Sequence, residues 1–246
     1  MDALTYAINK KLYGTSTYIP CSGMKAVAIA KAIGGGGGGE PTRDTIKDSW
    51  DKIIANVNNG TYSTKYSVGD TKLLDMGEEG EILMQIVAFD ADDLADGTGK
   101  AATSWVAVEL LNTRQSYYDL YQNVQEGGTI WNLLPSSLQS SIVSVSKVTQ
   151  TAEDGDEILN AKLWFPSARE VLDSSSYEQS GVVYNEIYTD DESRIKSKST
   201  DTTAITWWTR TTRQYQIDEA VRIRVGGGKG NNQKSGDNGV CIGFCI

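Results

Sequence analysis

The stretches that decide the fold are Trp207-Trp208-Thr209-Arg210 and, at the carboxyl end, Gly239-Val240-Cys241-Ile242-Gly243-Phe244-Cys245-Ile246. Successive side chains of a strand point to opposite faces, so one tryptophan must face the core while the other packs under a neighbouring loop. Between these stretches lie two polar segments, 211–218 and 229–238, which combine Arg, Tyr, Asn, Gln, Thr and Gly. Antibody binding loops use these residue types for hydrogen bonds and aromatic contact. The pattern predicts a binding surface framed by strands.

Composition limits the class of protein. The 246 residues, of which 39% are hydrophobic and 9% aromatic, suffice for one large domain or for one domain with an appendage. No apolar run approaches the roughly 20 residues of a membrane span, and the amino terminus lacks the layout of a signal peptide. We therefore expect no membrane insertion and no secretion signal.

The charge distribution bears on the partner. The net charge of -9 argues against nucleic acid, because that affinity comes from Lys and Arg side chains that neutralise phosphates. The carboxyl-terminal residues 207–246 nevertheless hold 6 basic and 3 acidic side chains, against 17 basic and 29 acidic in residues 1–206. The sequence thus predicts a locally basic tail on an acidic body and no nucleic-acid partner.

Histidine is absent, and this removes Ser-His and Cys-His nucleophile pairs and every histidine-containing metal site. The three cysteines, Cys21, Cys241 and Cys245, are too few for a four-thiolate zinc site or a disulfide framework. Even spacing puts Cys241 and Cys245 on one face of a strand, where we expect buried structural thiols. A copper- or redox-linked role is the alternative. We expect no metal and no cofactor.

Residues 1–33 are predicted to form a short helical attachment segment. Residues 34–41 hold six consecutive glycines and predict a flexible linker, because no Gly-Lys-Ser/Thr ending follows them as in a phosphate-binding loop. The main domain then spans 42–246. Its first helix should begin at an N-cap of Thr42 or Asp44 and end at 58–60, with apolar residues along one face.

The rest of the domain is predicted to form short strands and helices. Apolar runs at 81–89 and 105–111 predict a hairpin, and shorter patterns predict a helix start at 133–138, a strand at 142–148 and a helical turn at 167–172. The closing block predicts strands at 204–210, 220–225 and 240–246, with a long loop over 226–239. The fold class is therefore α+β with much irregular structure.

Three acidic clusters, at 90–93, 153–157 and 190–192, could bind calcium or act as paired carboxylates. None has the regular alternation leading to a distant Glu that a calcium loop requires. We expect solvated turns at all three.

Several segments carry a family resemblance, and they lie in the order Tyr66-Ser-Val-Gly-Asp70, Gln85-Ile-Val-Ala-Phe-Asp90, Leu133-Leu-Pro135, Lys162-Leu-Trp-Phe-Pro-Ser167 with Arg169-Glu170, Trp207-Trp208-Thr209-Arg210 and Gly239-Val-Cys-Ile-Gly-Phe244. Over roughly 60–246 the chain resembles a domain of phage and prophage structural proteins of gut bacteria, related to the variable proteins of diversity-generating retroelements. The resemblance implies a C-type-lectin-like fold, shared with formylglycine-generating enzymes, whose carboxyl-terminal segment 207–246 displays the ligand-binding residues. The opening residues 3–11 also resemble small phage tail proteins.

By matching position, the resemblance implies which residues form the frame and which bind. The frame would be Trp207, Trp208, Arg210, Gly239, Gly243 and Phe244. The ligand-binding residues would be Thr209, Thr211, Thr212, Arg213, Gln214, Tyr215, Gln216, Asp218, Arg222, Arg224, Asn231, Asn232, Asp237 and Asn238, with Arg213 and Tyr215 as anchors. Departures from the pattern argue against active diversification: Thr209 replaces the usual small aliphatic residue, and Gln214, Gln216, Lys229, Gln233 and Lys234 cannot arise from the Asn codons of such templates.

The leading functional hypothesis is a phage tail-associated adhesin that binds a bacterial surface protein or glycan. Its other partners would be virion proteins and, by analogy with phage adhesins, two further copies of itself in a homotrimer. It would be made in the bacterial cytoplasm and reside in the virion, or else be a prophage-encoded protein of the host cell. One alternative is a structural or decoration protein of the virion. An enzyme is less expected, because histidine and an apposed carboxylate pair are missing.

Overall fold

The computed structural model describes residues 43–153, 155–173 and 176–246. The predicted attachment segment, the glycine-rich linker, the N-cap candidate Thr42 and Cys21 lie outside these ranges.

The described chain forms short helices and short strands. The helices are α1 (Trp50–Asn58), α2 (Tyr62–Lys65), α3 (Tyr117–Asn123), α4 (Ser136–Ser141) and α5 (Ala168–Leu172), with single 3₁₀ turns at Gly77–Glu79, Trp131–Leu133 and Glu192–Arg194. The strands are β1 (Thr71–Asp75), β2 (Glu81–Phe89), β3 (Thr103–Ala107), β4 (Arg114–Gln115), β5 (Val145–Gln150), β6 (Asp156–Ala161), β7 (Leu163–Trp164), β8 (Trp207–Thr212), β9 (Glu219–Ile223), β10 (Lys229–Gln233), β11 (Asn238–Gly239) and β12 (Gly243–Cys245). The predicted α+β class is confirmed. No helix in the described ranges has the length and apolarity needed to cross a bilayer.

Helix α1 begins later than the sequence predicted. Its N-cap is Ser49, whose hydroxyl accepts a hydrogen bond from the Lys52 amide at 3.3 Å, so Asp44 as the cap is wrong. The preceding chain is held beside β1 instead, because the amides of Thr45 and Ile46 both donate to the Thr71 carbonyl at 3.0 Å. A competing strand partner thus shortens the helix, whereas its end at Asn58 is as predicted.

The first sheet has the order β1-β2-β3-β12-β7. Its β2–β3 pair confirms the predicted hairpin, although β3 ends at Ala107, before the predicted end at 111. The carboxyl-terminal strand β12 lies between β3 and β7, with Phe244 opposite both Trp105 and Leu163. The last residues of the chain therefore complete the core.

The second sheet has the order β10-β9-β8-β11-β4, and β5 and β6 form a separate antiparallel pair. The predicted long loop over 226–239 is wrong, since residues 229–233 form β10 and pair with β9 in regular antiparallel register. Their Gly, Asn and Gln content disfavours a strand locally, and the ladder of hydrogen bonds to β9 overrides that preference. The predicted strand 240–246 is also shorter in the structure, where only residues 243–245 form β12.

Candidate binding surface

The predicted frame residues of β8 are buried. Trp207 and Trp208 are both fully enclosed, and each indole N–H finds a carbonyl acceptor at 3.0 Å, Arg194 for Trp207 and Gln115 for Trp208. Trp208 lies under the segment that leads into α3, where its ring meets Tyr117 edge-on at 5.8 Å. Both rings thus belong to the core, and the expectation that one of them packs under a loop is wrong, because Trp208 contacts β4 and the start of α3.

Gly243 is a frame residue for a steric reason. A Cβ added there would lie 2.4 Å from the ring of Trp164, so only glycine lets β12 approach β7. Phe244 beside it is fully buried in the core.

Arg210 belongs to the interior. Its guanidinium contacts both carboxylate oxygens of Glu170 at 3.2 Å and donates to the carbonyls of Phe165 and Val148 at 2.6 and 3.0 Å. Glu170 also accepts from the Ser167 amide, which completes a capping box at the start of α5. Arg210 therefore ties β8 to the start of α5 and to β5.

A second ion pair extends this arrangement into a buried charge cluster of Asp92, Lys147, Glu170 and Arg210. The ammonium of Lys147 lies 2.6 Å from Asp92 and 3.0 Å from Glu170, and it also donates to the Tyr184 hydroxyl at 2.7 Å. Burial disfavours the charged form of Lys147, but the two carboxylates outweigh it and raise the pKa of this amine. The cluster balances two cations against two anions.

The expectation of solvated turns is wrong for Asp92. Its side chain is 1% exposed, and it accepts from Ser104 at 2.5 Å and from Tyr184 at 2.8 Å, so it is an interior anion. Burial alone would raise the pKa of Asp92, but Lys147 holds it below the ordinary value. The carboxylates at 190–192 are exposed as expected.

Four of the predicted ligand residues are buried, and for these the prediction of ligand contact is wrong: Thr209, Thr211, Thr212 and Asn238. Thr209 donates to the Val221 carbonyl at 2.8 Å, and Thr212 donates to the Gln150 carbonyl at 2.8 Å. Thr211 accepts from the Ala168 amide at 2.7 Å and donates to Glu178. These hydroxyls join β8 to its neighbours, and no ligand can reach them without opening the fold. Asn238 is buried as well, and its side-chain oxygen accepts from Thr206 and Arg222.

The exposed candidates cluster in the loop between β8 and β9, residues 213–218, which we call the tip loop. Every residue of the tip loop is exposed. Tyr215 is 73% exposed and Ile217 is 67% exposed, so two large side chains that water solvates poorly stand at the surface. The remaining members with polar side chains are Arg213, Gln214, Gln216 and Asp218.

The tip loop is fixed at both ends and at its centre. The Arg213 amide donates to the Glu219 carbonyl at 3.0 Å, the Lys234 amide donates to the Asp218 carbonyl at 2.7 Å, and the two side chains of Arg213 and Glu219 form an ion pair at 2.6 Å. Tyr215 adopts a left-handed φ of 60°, which is costly for a residue with a Cβ, and its amide donates to the Ala152 carbonyl at 2.8 Å. The hydrogen bond to Ala152, in the turn between β5 and β6, thus holds the backbone of Tyr215 in a strained conformation.

The other predicted ligand residues lie on β9, β10 and the turn after β10. Arg222 and Asn232 are partly buried, whereas Arg224, Asn231 and Asp237 are exposed. Arg224 and the tip loop lie at opposite ends of β9, so the structure divides the predicted site into two regions.

Cys241 and Cys245 are buried free thiols, as predicted. Burial raises the pKa of Cys241 to about 11, and Lys196 opposes that shift only in part. Within the described ranges, no group of three or more Cys, Asp or Glu side chains could hold a metal ion.

Sequence reasoning did not predict the interior partners Lys147, Glu178 and Tyr184, and it named Glu170 only as part of the family resemblance, without an interior role. For Glu170 a signal existed, because Ser167 followed three residues later by Glu is the capping-box spacing. For Lys147 and Tyr184 no local signal existed, since their partners lie 23 to 92 residues away in sequence.

A shallow polar cleft of about 220 Å³ lies between the end of α3 and β6–β7. The ion pair of Lys162 with Glu126, 2.8 Å long, involves two of its lining residues. Both charges there are already matched.

The family model described as a domain of unknown function, DUF6273, matches residues 108–246, which include the whole second sheet and β12. No curated protein and no solved structure is significantly similar to the chain.

Proposed function

The chain belongs to the DUF6273 family, a domain of unknown function, and we propose that it is a binding protein whose tip loop contacts a bacterial surface protein or glycan. The observation that carries the proposal is the exposure of Tyr215 and Ile217 on a backbone that the rest of the fold holds in place. A rigid loop loses little conformational entropy on binding, so contact energy becomes affinity.

The large side chains of Tyr215 and Ile217 determine how strongly the tip loop would bind a ligand. Burying a large apolar side chain at an interface contributes about 1.5–3 kcal/mol, and tyrosine adds a hydroxyl for hydrogen bonding. Arg213, Gln214, Gln216 and Asp218 would form the polar rim. Of the two anchors that the resemblance implied, Tyr215 is kept, whereas Arg213 is assigned to the rim because its guanidinium is paired with Glu219. Ile217 is a new anchor, chosen for its exposure.

Binding rather than catalysis is favoured by where the perturbed carboxylates and the buried lysine lie. Asp92, Lys147 and Glu170 are at most a few per cent exposed, and Lys147 forms ion pairs with both carboxylates. Catalytic groups need access to a substrate.

The scaffold is proposed to be C-type-lectin-like. Support comes from the order of the segments that resemble such domains and from the buried positions of Trp207, Trp208, Arg210, Gly239, Gly243 and Phe244. The same resemblance supports a role in a phage tail, with the protein made in the bacterial cytoplasm and assembled as a homotrimer with other virion proteins.

The test compares two double variants in binding of the full chain to purified cell envelopes of gut bacteria. Tyr215→Ser with Ile217→Ser removes the anchors of the tip loop. Tyr118→Ser with Ile158→Ser makes the same chemical changes at residues that are 50% and 71% exposed on other elements.

We expect the tip-loop variant to lose binding by at least about tenfold, and the control to retain it, with equal unfolding free energies. Protease or periodate treatment of the envelopes distinguishes a protein ligand from a glycan. Equal binding by both variants would refute the assignment. Incorporation into virus particles without envelope binding would support the decoration role instead.

A further inference from the structure

Strand β6 leaves one side of the β5–β6 pair open in the part of the chain that the structure describes. Within the described ranges β5 is its only strand partner, and no backbone hydrogen bond joins β6 to any other segment. The opposite side, that of β5, is covered. The Ser146 amide donates to the Asp93 carbonyl at 2.8 Å, and the Arg210 guanidinium donates to the Val148 carbonyl at 3.0 Å. The free edge of the pair is therefore β6.

The turn between β5 and β6 shows which backbone groups face the free edge. The Thr151 amide donates to the Gly155 carbonyl at 3.3 Å, so these two residues form a hydrogen-bonded pair. Hydrogen-bonded and non-hydrogen-bonded pairs alternate along an antiparallel ladder, so Glu157 and Leu159 are the residues of β6 that bond to β5. Three residues of β6 therefore point their N–H and C=O groups away from β5: Asp156, Ile158 and Asn160.

Among the described residues, β6 carries none of the usual protection of an edge strand, which is Lys, Pro, a bulge or a covering segment. Two other edge strands do have such protection: the amides of Thr45 and Ile46 bond to Thr71 in β1, and β10 carries Lys229. β6 contains neither Lys nor Pro, and its register with β5 is unbroken. Its Ile158 side chain is 71% exposed. The outward donors and acceptors of β6 are therefore available to an added strand.

The charges along β6 indicate what an added strand should carry. Glu153 in the turn and Asp156 and Glu157 on the strand are exposed. None of the three has an ion-pair partner among the described residues, although Asp156 accepts a hydrogen bond from the Gln179 amide at 2.7 Å. Opposite charges on paired strands stabilise the pairing, whereas like charges oppose it. A basic strand therefore fits this edge better than a second copy of β6.

We propose that the free edge of β6 binds an extended, basic segment of a partner protein as an added strand. In antiparallel pairing, a β-branched residue of the segment lies beside Ile158, and Lys or Arg residues lie beside Asp156 and Glu157. Main-chain hydrogen bonds supply the affinity, and these side-chain contacts supply the selectivity. The free edge is separate from the tip loop, whose Tyr215 amide bonds to the turn at Ala152.

The test measures backbone amide exchange by NMR in the full chain, with and without the peptide Thr-Thr-Val-Lys-Lys-Thr, acetylated and amidated at its ends. This peptide matches the free edge in antiparallel register, with its Val beside Ile158. At about ten times the Kd of the peptide, we expect exchange at the amides of Asp156, Ile158 and Asn160 to slow by about tenfold. The amides of Glu157 and Leu159 should change little, because they already bond to β5. Slowing at alternate residues is the signature of an added strand.

Matched variants and a matched peptide locate the interaction. Ile158→Lys places a positive charge at the centre of the free edge and should weaken binding of the basic peptide by at least about tenfold. Asn231→Lys adds the same charge at an exposed position of β10, the edge strand of the second sheet, and should have no effect. The peptide Thr-Thr-Val-Glu-Glu-Thr, in which the charges are reversed, should slow none of the three amides at the same concentration.

Three results would overturn the assignment: no slowing at the three outward amides, equal slowing at Glu157 and Leu159, or undiminished binding in Ile158→Lys. Slowing without peptide that grows with protein concentration would identify a second copy of β6 as the occupant and would equally overturn the basic partner. The double variant Tyr215→Ser with Ile217→Ser should bind the peptide like the unmodified chain. Failure of the tip-loop assignment and failure of this one are therefore separable.

Discussion

Glu170→Gln should destabilise the protein severely, because this carboxylate lies between two cations in the interior. Its side chain is 4% exposed, with Lys147 at 3.0 Å, Arg210 at 3.2 Å and the Ser167 amide at 2.7 Å. The substitution leaves the buried cluster with two cations and one anion. It also turns one acceptor oxygen into an N–H₂ group that faces other donors.

The magnitude follows from the loss of one partner of a buried pair, which costs about 3–5 kcal/mol. For a domain of this size each kcal/mol lowers the melting temperature by about 2–4 °C, so the variant should melt about 6–20 °C lower. The total stability of a domain is about 5–15 kcal/mol, and such a loss would remove a large share of it.

Urea unfolding, followed by tryptophan fluorescence, measures the change at constant m-value. Glu157→Gln is the matched control, because that side chain is exposed on β6 and its replacement should cost at most about 0.5 kcal/mol. A loss below about 1 kcal/mol in Glu170→Gln would refute the reasoning, since the cluster would then not depend on the charge of Glu170.

The carboxylate of Glu170 should also make the free energy of unfolding depend on pH. Burial would raise the pKa of Glu170, but Arg210 and Lys147 outweigh it and hold the pKa below the ordinary value. A group whose pKa is lower in the folded state stabilises the fold above its ordinary pKa, about 4.3 for glutamate, and loses that contribution as the pH falls through its folded pKa. Unfolding free energy should therefore fall less steeply in acid for Glu170→Gln than for the unmodified chain.

Two further substitutions test buried polar groups. Thr211→Val leaves the Ala168 amide without an acceptor and removes one donor to Glu178, which still accepts from the Gln150 and Arg169 amides, and it should cost about 1–3 kcal/mol. Thr211→Ser should cost less, and equal unfolding free energies for the two variants would contradict this role of the hydroxyl. Lys196 is buried with its ammonium on the Ala107 carbonyl at 2.6 Å, and burial lowers its pKa. Between this lowered pKa and the ordinary lysine pKa the folded state binds fewer protons than the unfolded state, so stability should rise with pH across that window. Lys196→Met should remove that rise in urea unfolding at several pH values, and a persistent rise would assign it to another group.

Local patterns predicted the elements whose partners lie nearby in the chain. The β2–β3 hairpin follows from two apolar runs around an Asp- and Gly-rich turn, and α5 follows from the cap at Ser167. The start of α1 could not be predicted, because Thr71 in β1 competes for the backbone of Thr45. In the candidate site, the sequence identified the exposed anchor Tyr215 but also included Thr211, which is buried.

The sequence by itself determined the α+β class and the apolar frame around Trp207. Both depend on residue type and on how apolar residues repeat along a strand. Only the tertiary structure decided which polar residues are accessible. Asp92 lies in an acidic turn by sequence yet becomes an interior anion, since Lys147 reaches it from 55 residues away. Whether a polar side chain is a surface group or an interior partner depends on charges and hydrogen bonds that only folding brings together.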